Sequence, residues 1–97
     1  MAGRVPKNLK RRSETPAQAL GAVITELRLA KPWSYHKVSS ELDCDPSYMN
    51  GIEHGTHNPT FAILQAIADV HKIKLSQLIA RAERKYQRSR KKKAAVR

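Results

Sequence analysis

Apolar residues recur at three- and four-residue spacing through most of the chain, and short polar or proline-bearing breaks divide them into five helical segments. Leu20, Val23, Ile24 and Leu27 form the first stripe. Thr15-Pro16 places a capping hydroxyl before a proline at the first helical position, and Pro32 forbids continuation, so this helix ends near Leu29 or Ala30. Ser34 caps a second helix over about 35–42 with Val38 and Leu42 inward, and Trp33 before the cap is placed to pack on Val38. Asp43-Cys44-Asp45 is a three-residue turn, whose Asp43 tolerates a left-handed backbone better than most residues. Asp45-Pro46 repeats the cap-then-proline signal and opens a third helix ending near His54-Gly55, with Met49 and Ile52 inward. Thr60 caps a fourth, with Phe61, Leu64, Ile67 and Ala68 facing the core. Lys72 to Lys74 then lead to a fifth, capped by Ser76 and carrying Leu78, Ile79, Ala82 and Tyr86 on one stripe, which runs past Lys85 and frays over Arg90–Arg97. There is no internal repeat.

The predicted architecture is a compact all-α domain, and the charge distribution adds three zones to it. The formal net charge is +11. Residues 1–14 carry Arg4, Lys7, Lys10, Arg11 and Arg12 against Glu14 alone, and 84–97 carry eight basic residues, among them Arg88, Arg90, Lys91, Lys92 and Lys93. The segment between, 15–83, holds six basic and seven acidic residues, so the whole excess lies in the flanks. The expected organisation is a disordered basic arm (1–14), a folded domain (15–83) and a partly helical basic extension (84–97). Such flanks suit a polyanion, because each neutralised phosphate releases counterions. A membrane is disfavoured: no apolar run approaches a spanning length, the N-terminus lacks a secretory apolar region, and the C-terminal run lacks bulky apolar neighbours. A lone cysteine, Cys44, allows no internal disulfide, which fits the cytoplasm.

Two short helices joined by three residues, the second entered by Asp-Pro, make a helix-turn-helix, although any helical hairpin could give that spacing. The run Ser47-Tyr48-Met49, Ile52-Glu53, Gly55 and Asn58-Pro59-Thr60 is more specific. With Leu20-Gly21, Glu26-Leu27-Arg28, Ser34, Val38, Leu42 and Leu75-Ser76-Gln77-Leu78, it resembles the lambda-repressor/Cro-like (XRE-type) helix-turn-helix family over about two-thirds of the chain. The resemblance implies a DNA-binding transcriptional regulator with helix 46–53 in the major groove, acting as a dimer on a two-part operator. It places Pro46, Ser47, Asn50 and Gly51 towards the bases, and Ser34, Tyr35, Tyr48, His54, Thr56, His57 and Asn58 along the phosphates. Tyr35 stands where the family usually has glutamine; it either donates through its hydroxyl or is an ordinary surface aromatic. Arg28 and Glu53 match a structural ion pair tying the first helix to the end of the third. The base-facing set lacks the long Arg or Gln side chains that make most bidentate base contacts, which predicts modest base discrimination, supplemented by shape readout and the basic arms.

Leu75, Leu78, Ile79, Ala82 and Tyr86 are long enough as a stripe to cover the core and still offer a surface to a second copy. Cys44 reads as a packed small hydrophobe, because the two flanking aspartates oppose a reactive thiolate. His54-x-x-His57 lacks further metal ligands nearby, His36 and His71 read as surface residues, and no cofactor, metal or catalytic constellation is expected. Phosphates beside His54 and His57 would favour their protonated forms and tighten binding at mildly acid pH. The expected partner is double-stranded DNA, in the cytoplasm of a prokaryote and associated with the nucleoid. The alternatives are an antitoxin-like module whose helix-turn-helix binds a protein partner, and a non-specific nucleic-acid binder acting through its tails.

Overall fold

A computed structural model describes residues 15–95, with side chains over 15–91. The arm residues Arg4, Lys7, Lys10, Arg11 and Arg12, and the side chains of Lys92 and Lys93, lie outside it. The described chain is all-α: α1 (Pro16–Ala30), α2 (Tyr35–Leu42), α3 (Pro46–His54), α4 (Phe61–Val70) and α5 (Leu75–Ala95), with no strand among the described residues. Hydroxyls or carboxylates open the first four. Thr15 accepts from the Gln18 amide while Gln18 reaches back to Thr15, and Ser34, Asp45 and Thr60 accept from Lys37, Ser47 and Ile63. Asp43 and Gly55 close α2 and α3 in the left-handed conformation, at φ 54° and 77°.

Val23, Ile24, Val38, Met49, Ile52, Ile67, Ala68, Leu78 and Ala82 form one core. α1 packs on both α3 and α5, α2 on α3 and α4, and α4 on α5. Burial of this kind supplies most of the stability of short helices, which are marginal alone.

Four sequence expectations change. Phe61 is 73% exposed, because at the first position of α4 it faces away from the core, which Ile63 and Leu64 pack against and Ile67 and Ala68 enter. Ser76 lies inside the first turn of α5; the helix opens two residues earlier than a cap at Ser76 would have it, where the Lys74 carbonyl accepts from Gln77 and Leu78 and the Gln77 side chain accepts from the Lys74 amide. Ile79 turns aside from the core and is 41% exposed, while Leu78 and Ala82 are buried. α5 also continues through Arg90 to Ala95, over a stretch free of Gly and Pro and rich in good helix formers.

His71 is the fifth change. It closes α4 and is only 7% exposed, with its ring 5.9 Å from that of Trp33. Neither ring nitrogen has a hydrogen-bond partner. Burial holds its pKa below the ordinary 6.5, Lys31 pushes the same way, and Glu53 opposes them. Between that lowered value and 6.5 the unfolded chain binds a proton that the folded chain does not. Stability therefore falls as pH drops below about 6.5. His71→Leu should remove this acid limb and, by deleting two unpaired buried nitrogens, raise stability at pH 7.5 by about 1 kcal/mol. Urea unfolding at pH 7.5 and 5.5 checks both; an unchanged pH slope in the variant would assign the limb elsewhere.

Candidate nucleic-acid interface

The position of α3 is set from beneath by a buried charge cluster. Arg28 of α1 meets Glu53 of α3 through two bonds, Nε to Oε2 at 2.7 Å and Nη2 to Oε1 at 3.1 Å. Its third arm donates from Nη1 to the Trp33 carbonyl at 2.7 Å, and the Tyr35 ring lies 4.2 Å from the guanidinium carbon. Thr25 Oγ1 stands 2.9 Å from both Glu53 Oε1 and the Gly21 carbonyl. Both charged side chains are almost wholly out of water, so the bidentate geometry and added donors must offset their desolvation. One cluster thereby joins α1, the α1–α2 link, α2 and α3.

The turn between α2 and α3 is held by backbone bonds. The Asp43 amide reaches the Ser39 and Ser40 carbonyls, and the Cys44 amide reaches Ser39. Cys44 is half-buried; burial raises its thiol pKa, the nearby Ser39 hydroxyl works against that rise, and Asp45 and Asp43 add to it. That environment favours the inert thiol.

On its outer side α3 is polar. Ser47 and Asn50 are exposed, Pro46 and Tyr48 half-buried. Gly51, placed outward by the sequence reading, is buried: the His57 imidazole covers it, and a Cβ at this position would overlap the ring. The returning loop creates this seat. The amides of Thr56 and His57 both donate to the Gly51 carbonyl, at 2.9 and 3.2 Å, and Thr56 Oγ1 bonds it as well. His57 packs edge-on against Tyr48 with ring centroids 5.8 Å apart, and His54 Nδ1 is held by the Asn50 carbonyl at 2.8 Å. Tyr48, Asn50, His54, Thr56 and His57 thus share one patch, with exposed Asn58 just beyond it. Ser34 and Tyr35 lie at the start of α2, Ser34 engaged as the cap and Tyr35 under Arg28.

Ser47 is less free than its exposure suggests. Asp45 Oδ1 accepts from the Ser47 hydroxyl at 2.7 Å and from its amide at 2.8 Å, and these bonds hold the Asp45 carboxyl below the usual range. With its proton committed, Ser47 presents lone pairs outward. Sequence reasoning missed the covering of Gly51 by His57 and the joining of Thr25, Trp33 and Tyr35 to the ion pair. A glycine in mid-helix was the available signal for the first.

A profile of the helix-turn-helix family matches residues 24–78. The chain belongs to the helix-turn-helix family. Its fold is that of the lambda-repressor-like domains. It matches the clp gene regulator ClgR from Corynebacterium glutamicum with a TM-score of 0.75 over 88% of this chain and 93% of that one, at 17% sequence identity. No curated protein sequence matches it. The matched helix-turn-helix segment contains α2, α3 and α4 whole and stops at Leu78, so nearly all of α5 lies beyond the shared pattern. No group of three or more His, Cys, Asp or Glu residues could hold a metal among the described residues, and no described helix is long and apolar enough to cross a membrane.

Proposed function

We propose that this helix-turn-helix protein is a DNA-binding transcriptional regulator that lays α3 in the major groove. The observation that carries the reading is the outer side of α3: a polar surface of Ser47 and Asn50, backed by the rigid Arg28–Glu53 cluster and flanked by Tyr48, His54, Thr56, His57 and Asn58. Asn50 suits adenine, and Ser47 offers lone pairs to an exocyclic amine. Pro46 supplies apolar contact, and Gly51 serves by seating His57 beside the phosphates. Ser34 and Tyr35 approach the backbone at the start of α2. The 15–83 segment carries a slight negative excess, so the basic arm 1–14 adds phosphate attraction on the same duplex.

A homodimer on a two-part operator is the assembly this reading favours. A groove between α1 and α5, lined by Pro16, Leu20, Ile79, Ala82 and Tyr86, offers apolar surface to a second copy on the stripe that begins at Leu75 and Leu78. The reading also places the protein in a prokaryotic cytoplasm, with the nucleoid.

Selection of duplexes from a random pool tests the function directly. A recurring sequence is expected, arranged as two half-sites, and lost with Ser47→Ala/Asn50→Ala. A pool that converges on nothing, or a double variant that selects the same sequence, would sink it.

Asp45 provides a sharper test of orientation. Asp45→Asn keeps the acceptor oxygen that caps α3 and holds the Ser47 hydroxyl, and removes a carboxylate at the DNA-side end of α3. One charge about 4 Å from a phosphate in a water-like medium is worth roughly 1 kcal/mol. The variant should therefore bind DNA about fivefold more tightly at low salt, with a smaller gain at high salt. Unchanged or weaker binding in a titration would turn the start of α3 away from the phosphates.

A further inference from the structure

We infer that the basic stripe on α5 is a second nucleic-acid surface, which holds a separate stretch of duplex DNA while α3 holds the first; the inference rests on the reading of α3 as the DNA-facing helix. Arg81, Arg84, Arg88 and Lys91 follow one another at three- and four-residue steps, and Lys85 lies four after Arg81 and three before Arg88, so all five share one side of the helix. Arg81 and Lys85 are engaged with Glu26 of α1, Lys85 at 2.8 Å and Arg81 at 4.0 Å. Arg84, Arg88 and Lys91 have no ion-pair partner among the described residues. Glu83 is the acidic neighbour along this edge.

The stripe stands apart from α3 because α1 lies between them. Gln18, Gly21, Thr25 and Arg28 are the α1 residues that meet α3 or its cap. Pro16, Leu20, Val23 and Glu26 are those that line grooves with α5 or pair with it. At about 100° per residue the two sets project from opposite sides of α1. A duplex seated on α3 therefore leaves the stripe on the far side of the molecule.

Duplex DNA fits the stripe better than an acidic protein does. From Arg81 to Lys91 the helix rises about 15 Å. One strand of B-DNA presents a phosphate about every 3.4 Å of axis, so the stripe runs beside four or five of them. A protein interface needs an apolar centre, and the stripe contains none. Ile79, an exposed apolar residue of α5, lies on its other flank, in the groove with Pro16 and Leu20. A second copy can cover that flank without covering the cations.

A capture assay tests the bridge. One duplex is tethered to beads, and the full-length protein is asked to retain a second, labelled duplex. Wild type should retain it. Arg84→Gln/Arg88→Gln/Lys91→Gln should reduce retention at least tenfold, while dilute protein binds a single short duplex within about threefold of wild type. Circular dichroism checks that the variant stays helical. Equal retention by the variant overturns the inference. An equal fall in single-duplex affinity, where the wild-type pool selection does yield a sequence, also overturns it, because the stripe would then share the duplex of α3. Retention that single-stranded RNA or polyglutamate displaces better than duplex DNA reassigns the stripe to another ligand. Loss of random-duplex binding in the variant, together with a wild-type pool selection that yields no sequence, instead defeats the α3 reading while leaving the stripe.

Discussion

Replacing Glu53 with alanine should destabilise the protein by about 3–5 kcal/mol, because it strands the Arg28 charge inside the fold. Arg28 would keep the Trp33 carbonyl and the Tyr35 ring, neither of which neutralises it, and Thr25 would lose its carboxylate partner. Natural domains have only about 5–15 kcal/mol in total, so a chain this short could be largely unfolded by that one change. The cost measures the stranding of a charge rather than the worth of the pair. Arg28→Met/Glu53→Leu removes both charges and fills similar volume, so it should recover most of the loss. Urea unfolding of the single and double variants decides the matter. A Glu53→Ala variant within 1 kcal/mol of wild type would mean that water reaches the guanidinium. A double variant as unstable as the single would mean that the polar geometry is itself indispensable.

The second large effect is expected at Gly21. A Cβ there would fall onto the carbonyl oxygens of Ile52 and Glu53, where α1 and α3 touch backbone to backbone. Neither obstacle is the end of a flexible side chain, so a substitution must push two helices apart. Gly21→Val should cost at or above the upper end of the roughly 1–3 kcal/mol typical of overpacking, and it would also stretch the bonds from Arg28 to Glu53. Gly51→Ala is the matched control. It too replaces a glycine inside a helix, but the obstacle is the His57 imidazole, which can swing into solvent. Its fold should be unharmed or stabilised by up to about 1 kcal/mol from helix propensity, while DNA binding weakens as His57 leaves its seat. Similar unfolding midpoints for Gly21→Val and Gly51→Ala would contradict the close helix contact.

The helices were legible because their signals are local. Thr15-Pro16, Ser34, Asp45-Pro46 and Thr60 are caps, which satisfy amides within three residues of themselves and need no distant partner. Ser76 misled because a hydroxyl one step inside a helix looks the same in sequence as one at its start. Phe61 misled because apolar character carries no information about whether the core reaches that far. His71 and the Gly51 seat were hidden for a different reason. Each depends on where a loop or a neighbouring helix lands, Trp33 over one and His57 over the other. The resemblance carried Arg28 and Glu53 as a pair, but Thr25 beside them became visible only once α1 and α3 were in place.

The bare contact at Gly21 has a mechanical consequence. Where two helices meet without intervening side chains, there is no layer to repack, and sliding or tilting would drive backbone into backbone. α1 and α3 must therefore move as a stiff block. A duplex proposed to lie against such a block has to do the bending itself, so preference should accrue to steps that unstack cheaply, such as TA and CA/TG, even at positions that no side chain touches.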